Sequence, residues 1–461
     1  MRIIWTVRCS VRSSLISSQT KKKQKPVSAR QVALKILQQV LMQGRSLVVA
    51  KSAADCLEGR DRALAMELVN GVLRWYWKLD YLLNQFLKKP LRNKEQEVKL
   101  LLLMALYELT ELSTPDYAVV NEAVSASKVM GKQWAKAMIN GVLRNFIRDQ
   151  EACLKKMESN QEAFYSHPYW LIALLKQDWP EQWQAILQAN NQRPPLWLRV
   201  NAAQNDTETY KELLQEQGLS SSLHPFALQA LKLDQGVDVT SLPGFEKGQV
   251  SVQDAGAQLA ACLLDVHKGH RVLDLCAAPG GKTCHVLELE PEIESMTAVE
   301  LEENRMSRVR ENLHRLNLKA ELIVADASDD AWWDGRQFDR ILVDAPCSST
   351  GVIRRHPDIK SLRWEEDIKS LVNVQQKILQ QAWQMLDPGG KLLYVTCSVL
   401  RQENEAQIAG LLSTHNDAVE LNLIEEGSDE WGVACQHGRQ LLPGENDNDG
   451  FYFCCLSKPV E

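Results

Sequence analysis

Two cysteines, Cys347 in Asp344-Ala345-Pro346-Cys347 and Cys397 in Thr396-Cys397-Ser398, each follow a run that predicts a β-strand. Upstream lies a glycine-rich turn between a predicted strand and a predicted helix, Asp274-Leu275-Cys276-Ala277-Ala278-Pro279-Gly280-Gly281-Lys282-Thr283. In a doubly wound sheet such a turn holds a nucleotide-like cofactor, because glycine lets the backbone approach the ligand and the helix N-terminus offers amides to its polar groups. Thiolates add and leave readily. Two of them beside a cofactor turn point to covalent group transfer, with one thiol attacking and the other assisting release.

Methyl transfer to carbon 5 of cytosine needs this combination. That carbon is a poor nucleophile until a thiolate adds at carbon 6 and makes an enamine able to attack the methyl of S-adenosylmethionine. A base must then remove the carbon 5 proton so that the thiolate can be eliminated, and a second thiol can take part in that step. Asp344 caps a strand end on the bland reading; beside Pro346-Cys347 it can also accept from the cytosine amino group and stabilise the protonated ring nitrogen. Taken singly, Cys397 reads as an ordinary buried thiol. Spacing alone leaves open which cysteine attacks.

Two carboxylates complete the cofactor pattern. Glu300 ends the next predicted strand nineteen residues after Gly281, where a carboxylate can accept both ribose hydroxyls. Asp326 ends the third and can accept from the adenine amino group. Gly281-Lys282-Thr283 mimics the end of a P-loop, but the first glycine of that motif would fall at Cys276, so the nucleotide-triphosphate reading fails. A nicotinamide dehydrogenase would share the acidic residue and the strand order, yet it leaves both cysteines without a task.

The three motifs together, Cys276 to Lys282, Asp344 to Gly351 and Thr396 to Ser398, resemble those of the Nol/Nop/Sun family of RNA cytosine-5 methyltransferases. Within it the chain is most similar to bacterial members acting on 16S ribosomal RNA, from about Val27 to the C-terminus. The resemblance implies that Cys397 is the nucleophile and that Cys347 assists product release, with Asp344 as the third catalytic residue. It also implies that S-adenosylmethionine is held by Cys276, Ala277, Ala278, Pro279, Gly280, Gly281, Lys282, Glu300, Asp326 and Asp344. The family commonly has Asp where this chain has Glu300, a longer but chemically equivalent carboxylate. The implied protein is cytoplasmic, and a monomer is the expectation.

A doubly wound α/β unit must carry these motifs. From about Val250 the pattern alternates strand and helix, with strands expected at Arg271–Leu275, Met296–Glu300, Leu322–Asp326, Arg340–Asp344 and Lys391–Val395. Helices are expected at Glu303–Leu316 and Ile368–Leu386, and Asp387-Pro388-Gly389-Gly390 as a turn. Cys454 and Cys455 are expected in a strand, one on each face. Residues 245–461 form the expected Rossmann-like catalytic domain.

In front, residues 27–150 show apolar residues at helical spacing, as in Val32, Ile36, Leu37 and Val40, and predict an all-α domain. Asn-Gly-Val-Leu-Arg occurs at Asn70 to Arg74 and again at Asn140 to Arg144, with each Arg expected to reach outward. This region resembles the NusB-like RNA-binding domains; a dimerisation or scaffold module is the alternative. Residues 160–240, with Trp170, Trp179, Trp183 and Trp197, predict a small α+β linker domain in which Arg193 and Arg199 can contact phosphate. The loop Gly351 to Asp358, with Arg354 and Arg355, is expected against RNA around a flipped-out cytosine; His356 reads as structural.

Composition sets the remaining limits. A chain of 461 residues exceeds one core, and two or three domains are expected. The net charge of −6 conceals an uneven distribution: residues 1–150 hold 25 Lys/Arg against 12 Asp/Glu, so the front can face a polyanion while the remainder is acidic. Eleven cysteines without paired CxxC spacing exclude a disulfide framework and a zinc site, and no metal is expected. The apolar stretch Val98 to Leu109 is too short to span a bilayer and reads as a core helix, so no membrane partner is expected. Residues 1–26 form a basic extension with no acid, read as a disordered tail. An idle RNA-binding factor retaining the fold is the competing class; the intact Cys347, Cys397 and Asp344 argue against it.

Overall fold

The computed structural model describes residues 28–424 and 431–460, so the basic extension lies outside the described residues. The front part is all-helical, with long helices at Ala29–Leu41, Gly59–Arg74, Tyr76–Phe86, Gln96–Glu111, Asp116–Val129 and Lys136–Met157. The first begins at a capping box: Gln31 N donates to Ser28 Oγ and Ser28 N to Gln31 Oε1. Its Val32, Ile36, Leu37 and Val40 are buried at the expected helical spacing. The helix Gln96–Glu111 is buried along most of its length and forms the centre of this core, with Glu108 neutralised by Arg30 at 2.5 Å.

The repeated Asn-Gly-Val-Leu-Arg motif has two different fates. Gly71 is required because a Cβ there would stand 2.0 Å from the ring of Tyr107. Arg144 is exposed, as expected. Arg74 is not: it is 7% exposed and donates to the carbonyl of Arg354, because the helix end it occupies is covered by the loop after Cys347.

A smaller antiparallel sheet follows, ordered β2-β3-β1-β4, from β1 (Leu196–Val200), β2 (Ser221–Leu223), β3 (Ala230–Leu233) and β4 (Val250–Val252). In β1, Trp197 to Val200 are all buried, since helices and the catalytic part cover both faces. β4 comes from beyond the expected end of the linker at 240 and pairs with β1 through Leu198, Arg199 and Val200.

The large sheet contains β5 (Arg271–Leu275), β6 (Ser295–Glu300), β7 (Glu321–Val324), β8 (Phe338–Asp344), β9 (Leu386–Thr396), β10 (Val419–Leu421), β11 (Val433–Ala434), β12 (Arg439–Leu441) and β13 (Phe451–Ser457). Its order is β11-β12-β13-β9-β8-β5-β6-β7, with β10 on β13; β5 to β9 run parallel and β13 is antiparallel to β9. The order reverses at β5 and β8, which opens a crevice at their carboxyl ends. Cys454 packs in one core layer with Leu273 and Val343, and Cys455 in the other with Val272 and Leu342, one thiol per face. The expected turn Asp387 to Gly390 lies within β9, drawn into the sheet by the C-terminal strand: Gly389 N donates to Lys458 O and Lys458 N to Gly390 O. Among the described residues no helix is long and apolar enough to cross a membrane.

Candidate active site

The carboxyl ends of β5, β6, β8 and β9 bring the expected residues together. After β5 the chain turns through Cys276, whose φ of 64° is left-handed, and Gly280, with φ of 91°, into the helix Gly281–Leu289. A Cβ on Gly280 would meet Val309 at 3.1 Å, so close helix packing as well as φ demands glycine there. A Cβ on Gly281 would meet only the Gln253 side chain, at 3.7 Å. Ala277 and Ala278 are buried beneath the loop, Ala277 N donating to Val299 O on β6; Pro279 is exposed and its carbonyl accepts from Asn312.

Glu300, at the end of β6, is 2% exposed. Its carboxylate accepts from Ala278 N at 3.2 Å, Glu302 N at 3.3 Å and Arg305 Nη1 at 3.1 Å, so it ties the glycine-rich loop to β6. Asp326 is exposed, two residues beyond the end of β7, and accepts from Ser328 N.

At the end of β8, Asp344 Oδ2 meets Lys282 Nζ at 2.6 Å. Burial works against the Lys282 ammonium, but Asp344 outweighs it and holds the Lys282 pKa above its usual value. Below them Asp274 is 1% exposed; its Oδ2 accepts from Thr283 Oγ1 at 2.5 Å and its Oδ1 has no partner. Burial raises the Asp274 carboxyl to about 7. Burial and the Asp344 charge likewise push the Cys276 thiol up, which leaves it protonated and inert.

The two cysteines meet across the adjacent strand ends, Cys347 Sγ 3.4 Å from Cys397 Sγ. The hydrogen bond between them raises the Cys347 pKa, as does burial, and lowers that of Cys397 in spite of burial. A hydrogen bond with Ser349 also favours the Cys397 thiolate, the opposed charges of Asp344 and Lys282 largely offset each other there, and Glu403 disfavours ionisation of Cys347. The hydrogen bonds at Cys397 and the Glu403 charge at Cys347 push the same way, so the Cys397 thiolate with Cys347 as donor is the preferred state.

The arginines expected against RNA are occupied elsewhere. Arg199 is 1% exposed and binds Glu288 at 2.7 Å, Gln253 at 2.5 Å and the Gly281 carbonyl at 2.6 Å, because β1 packs against the back of the cofactor loop. Arg354 and Arg355 pair with Asp449, and Arg355 also with Asp254, inside the fold. Arg193 remains exposed but bridges to Glu67 of the helical part. His356 is half-buried, and burial lowers its pKa, in keeping with a structural role.

Residues that sequence reasoning passed over are Arg305, Thr283 and above all Glu403, which is wholly buried beside both cysteine loops. An acid close behind Thr396-Cys397-Ser398 was the available signal, but next to the helix Glu405–Thr414 it reads as an ordinary helix-start acid. Among the described residues no group of His, Cys, Asp and Glu could hold a metal.

Three family profiles tile the chain: the NusB family over residues 27–148, the RsmF/B-like ferredoxin-like domain over 167–240, and 16S rRNA methyltransferase RsmB/F over 261–457. Ribosomal RNA small subunit methyltransferase B of Pseudomonas syringae is 47% identical over 88% of this chain and 91% of its own length. The protein of the same name from Vibrio cholerae is 46% identical over 94% and 98%. Among solved structures, a methyltransferase homolog protein from Pyrococcus horikoshii superposes with a TM-score of 0.54 at 26% identity, over 63% of this chain and 99% of its own. NSun6 from Pyrococcus horikoshii with SFG gives 0.56 at 20% identity, over 64% and 99%, and shares the fold. On this agreement across nearly its whole length, the chain belongs to the RsmB/F family of 16S rRNA methyltransferases, whose methyl donor is S-adenosylmethionine.

Proposed function

We propose that the chain methylates carbon 5 of a cytosine in 16S rRNA through a covalent adduct with Cys397. The observation that carries this reading is the 3.4 Å contact between Cys397 and Cys347, with the Lys282–Asp344 pair at the same strand ends. A methylase acting on a nucleophilic ring nitrogen or hydroxyl would need neither thiol.

The cofactor supplies an electrophilic methyl group when bound. The cradle suits it: Gly281 has only the Gln253 side chain near, at 3.7 Å, and the orphaned Asp274 Oδ1 is a buried acceptor at the same strand end. We assign the donor to the loop Cys276 to Lys282, with Glu300, Asp326 and Asp344 as its carboxylates. The Glu300 carboxylate already takes three donors, so a ribose would share its remaining lone pairs or displace Arg305.

Cys397, as thiolate, adds to carbon 6 of the cytosine. Asp344 takes a proton-bearing ring group, and Lys282 balances the charge it shares with Asp344. After methylation a water molecule acting as base takes the carbon 5 proton, the electrons of that C–H bond restore the 5,6 double bond, and the Cys397–carbon 6 bond breaks with its electron pair returning to sulfur as thiolate. Cys347, in contact with the departing sulfur, is placed to steady it by donating its hydrogen bond.

The test is capture of RNA carrying 5-azacytidine, in which carbon 5 is replaced by nitrogen and the adduct cannot be resolved. Cys397→Ala should lose both the adduct and methylation, and bisulfite sequencing of 16S rRNA should show one cytosine losing its 5-methyl mark when the gene is absent. An adduct retained in Cys397→Ala would move the nucleophile elsewhere.

A further inference from the structure

Glu403 has no exposed surface, yet it is a carboxylate between the two thiol-bearing loops. Its Oε1 accepts from Ser348 N at 2.8 Å and Gln375 Nε2 at 3.1 Å; its Oε2 accepts from Ser348 Oγ and Ser398 Oγ, each at 2.5 Å. Ser348 and Ser398 directly follow Cys347 and Cys397. A buried carboxylate is tolerable when its lone pairs are used in this way. The neighbouring Asn404 tightens the second loop, accepting from Thr396 Oγ1 at 2.6 Å and donating to the Ser398 carbonyl at 3.0 Å.

We propose that Glu403 is the positioning residue of the thiol pair: its carboxylate ties the loop after β8 to the loop after β9 and so fixes the contact between Cys347 and Cys397. The inference rests on the covalent reading above. Apolar packing could also bring two loops together, but it would set no charge beside Cys347. The Glu403 charge instead disfavours a thiolate at Cys347, while at Cys397 the Asp344 and Lys282 charges oppose each other. The proton stays on Cys347 Sγ, aimed at Cys397 Sγ, and no atom is gained or lost. Glu403 touches neither substrate nor cofactor in this role; it acts through the two sulfurs.

The test uses the full chain with Glu403→Gln, which keeps the shape and removes the charge, and with Ser398→Ala, which removes one donor. Iodoacetamide alkylation of each cysteine is followed by mass spectrometry against pH, beside steady-state methylation of 16S rRNA. In Glu403→Gln the pH midpoint of Cys347 should fall, and the preference for alkylating Cys397 should drop about tenfold, one pKa unit of lost discrimination. The kcat should fall with it while KM for RNA and for the methyl donor stays near wild type; Ser398→Ala should move in the same direction by less. An unchanged cysteine preference in folded Glu403→Gln overturns the proposal even where kcat falls, since a mere prop would give that result. Should Glu403→Gln fail to fold, an unchanged preference in Ser398→Ala overturns it. If wild-type Cys397 itself shows no preference and captures no 5-azacytidine RNA, the covalent reading falls and takes this one with it.

Discussion

Cys347 and Cys397 share one hydrogen bond across 3.4 Å, and this bond makes the second thiol the more acidic of the two. Replacing Cys347 by Ala removes the donor, so the alkylation midpoint of Cys397 should rise toward the ordinary thiol value of 9.0. Below that midpoint the variant holds less thiolate than wild type, and its deficit should shrink as pH rises. If Cys347 also assists elimination, the same variant should accumulate an enzyme–RNA complex that survives denaturing electrophoresis. An unmoved midpoint together with normal turnover would make Cys347 a packing residue.

Asp274 gives a pH signature of the opposite sign to an exposed, ion-paired carboxylate such as Glu303. Burial raises its pKa from 3.8 to about 7, so its contribution to stability is fully present below the unfolded value and is lost as pH rises through about 7. Asp274→Asn keeps an acceptor for Thr283 and removes this titration. The stability of the variant should therefore gain on wild type between these two pH values, by on the order of 2–4 kcal/mol at the alkaline end, and its melting temperature should rise relative to wild type in step. Thermal scans of both proteins across that range check it, and parallel curves would show that Asp274 stays ionised in the fold.

Glu300 joins the glycine-rich loop to β6, so Glu300→Ala should both slacken the loop and remove a ribose acceptor. S-adenosylmethionine binding should weaken by about 1.5–3 kcal/mol, as for lost hydrogen bonds to a charged group. Calorimetry returning wild-type affinity would shift the ribose contact to Glu302, which is exposed beside it.

The parallel sheet was legible because its strands are short apolar runs separated by amphipathic helices: Arg271–Leu275 and Glu303–Leu316 have the expected bounds. The motif order also brought Cys347, Cys397, Asp344 and Lys282 to adjoining strand ends. Partners of arginine were not legible. Arg199, Arg354 and Arg355 look alike in sequence to RNA-facing residues, and only the long-range pairing with Glu288, Asp254 and Asp449 distinguishes them. Arg74 and Arg144 occupy the same place in identical pentapeptides, yet one is buried by a loop some 280 residues away. Glu403 escaped notice for the same reason: its partners come from three separate segments.

The positive charge of residues 1–150 predicts that RNA affinity resides largely in the front part and falls steeply with salt, because each Lys or Arg that neutralises a phosphate releases a counterion. The structure decides where a truncation can be made. The helical part has its own core, and its contacts with the loop after Cys347 are mainly polar: Lys360 Nζ donates to the carbonyl of Arg74, and Leu47 N to Asp358. Removing the helices takes away the Arg74 carbonyl, which water can replace, and leaves Lys360 Nζ its bonds to Ser166 O and Asn191 Oδ1. A cut at residue 250 is different, since it strips β1 from β4 and leaves the buried Glu288 without Arg199, a loss on the order of 3–5 kcal/mol. Residues 160–461 should therefore melt cooperatively and bind S-adenosylmethionine, with weaker RNA binding and a shallower salt slope than the full chain. Residues 250–461 should not melt cooperatively. Equal RNA affinity and equal slope for the full chain and residues 160–461 would move the RNA anchor out of the helical part and make that part a scaffold.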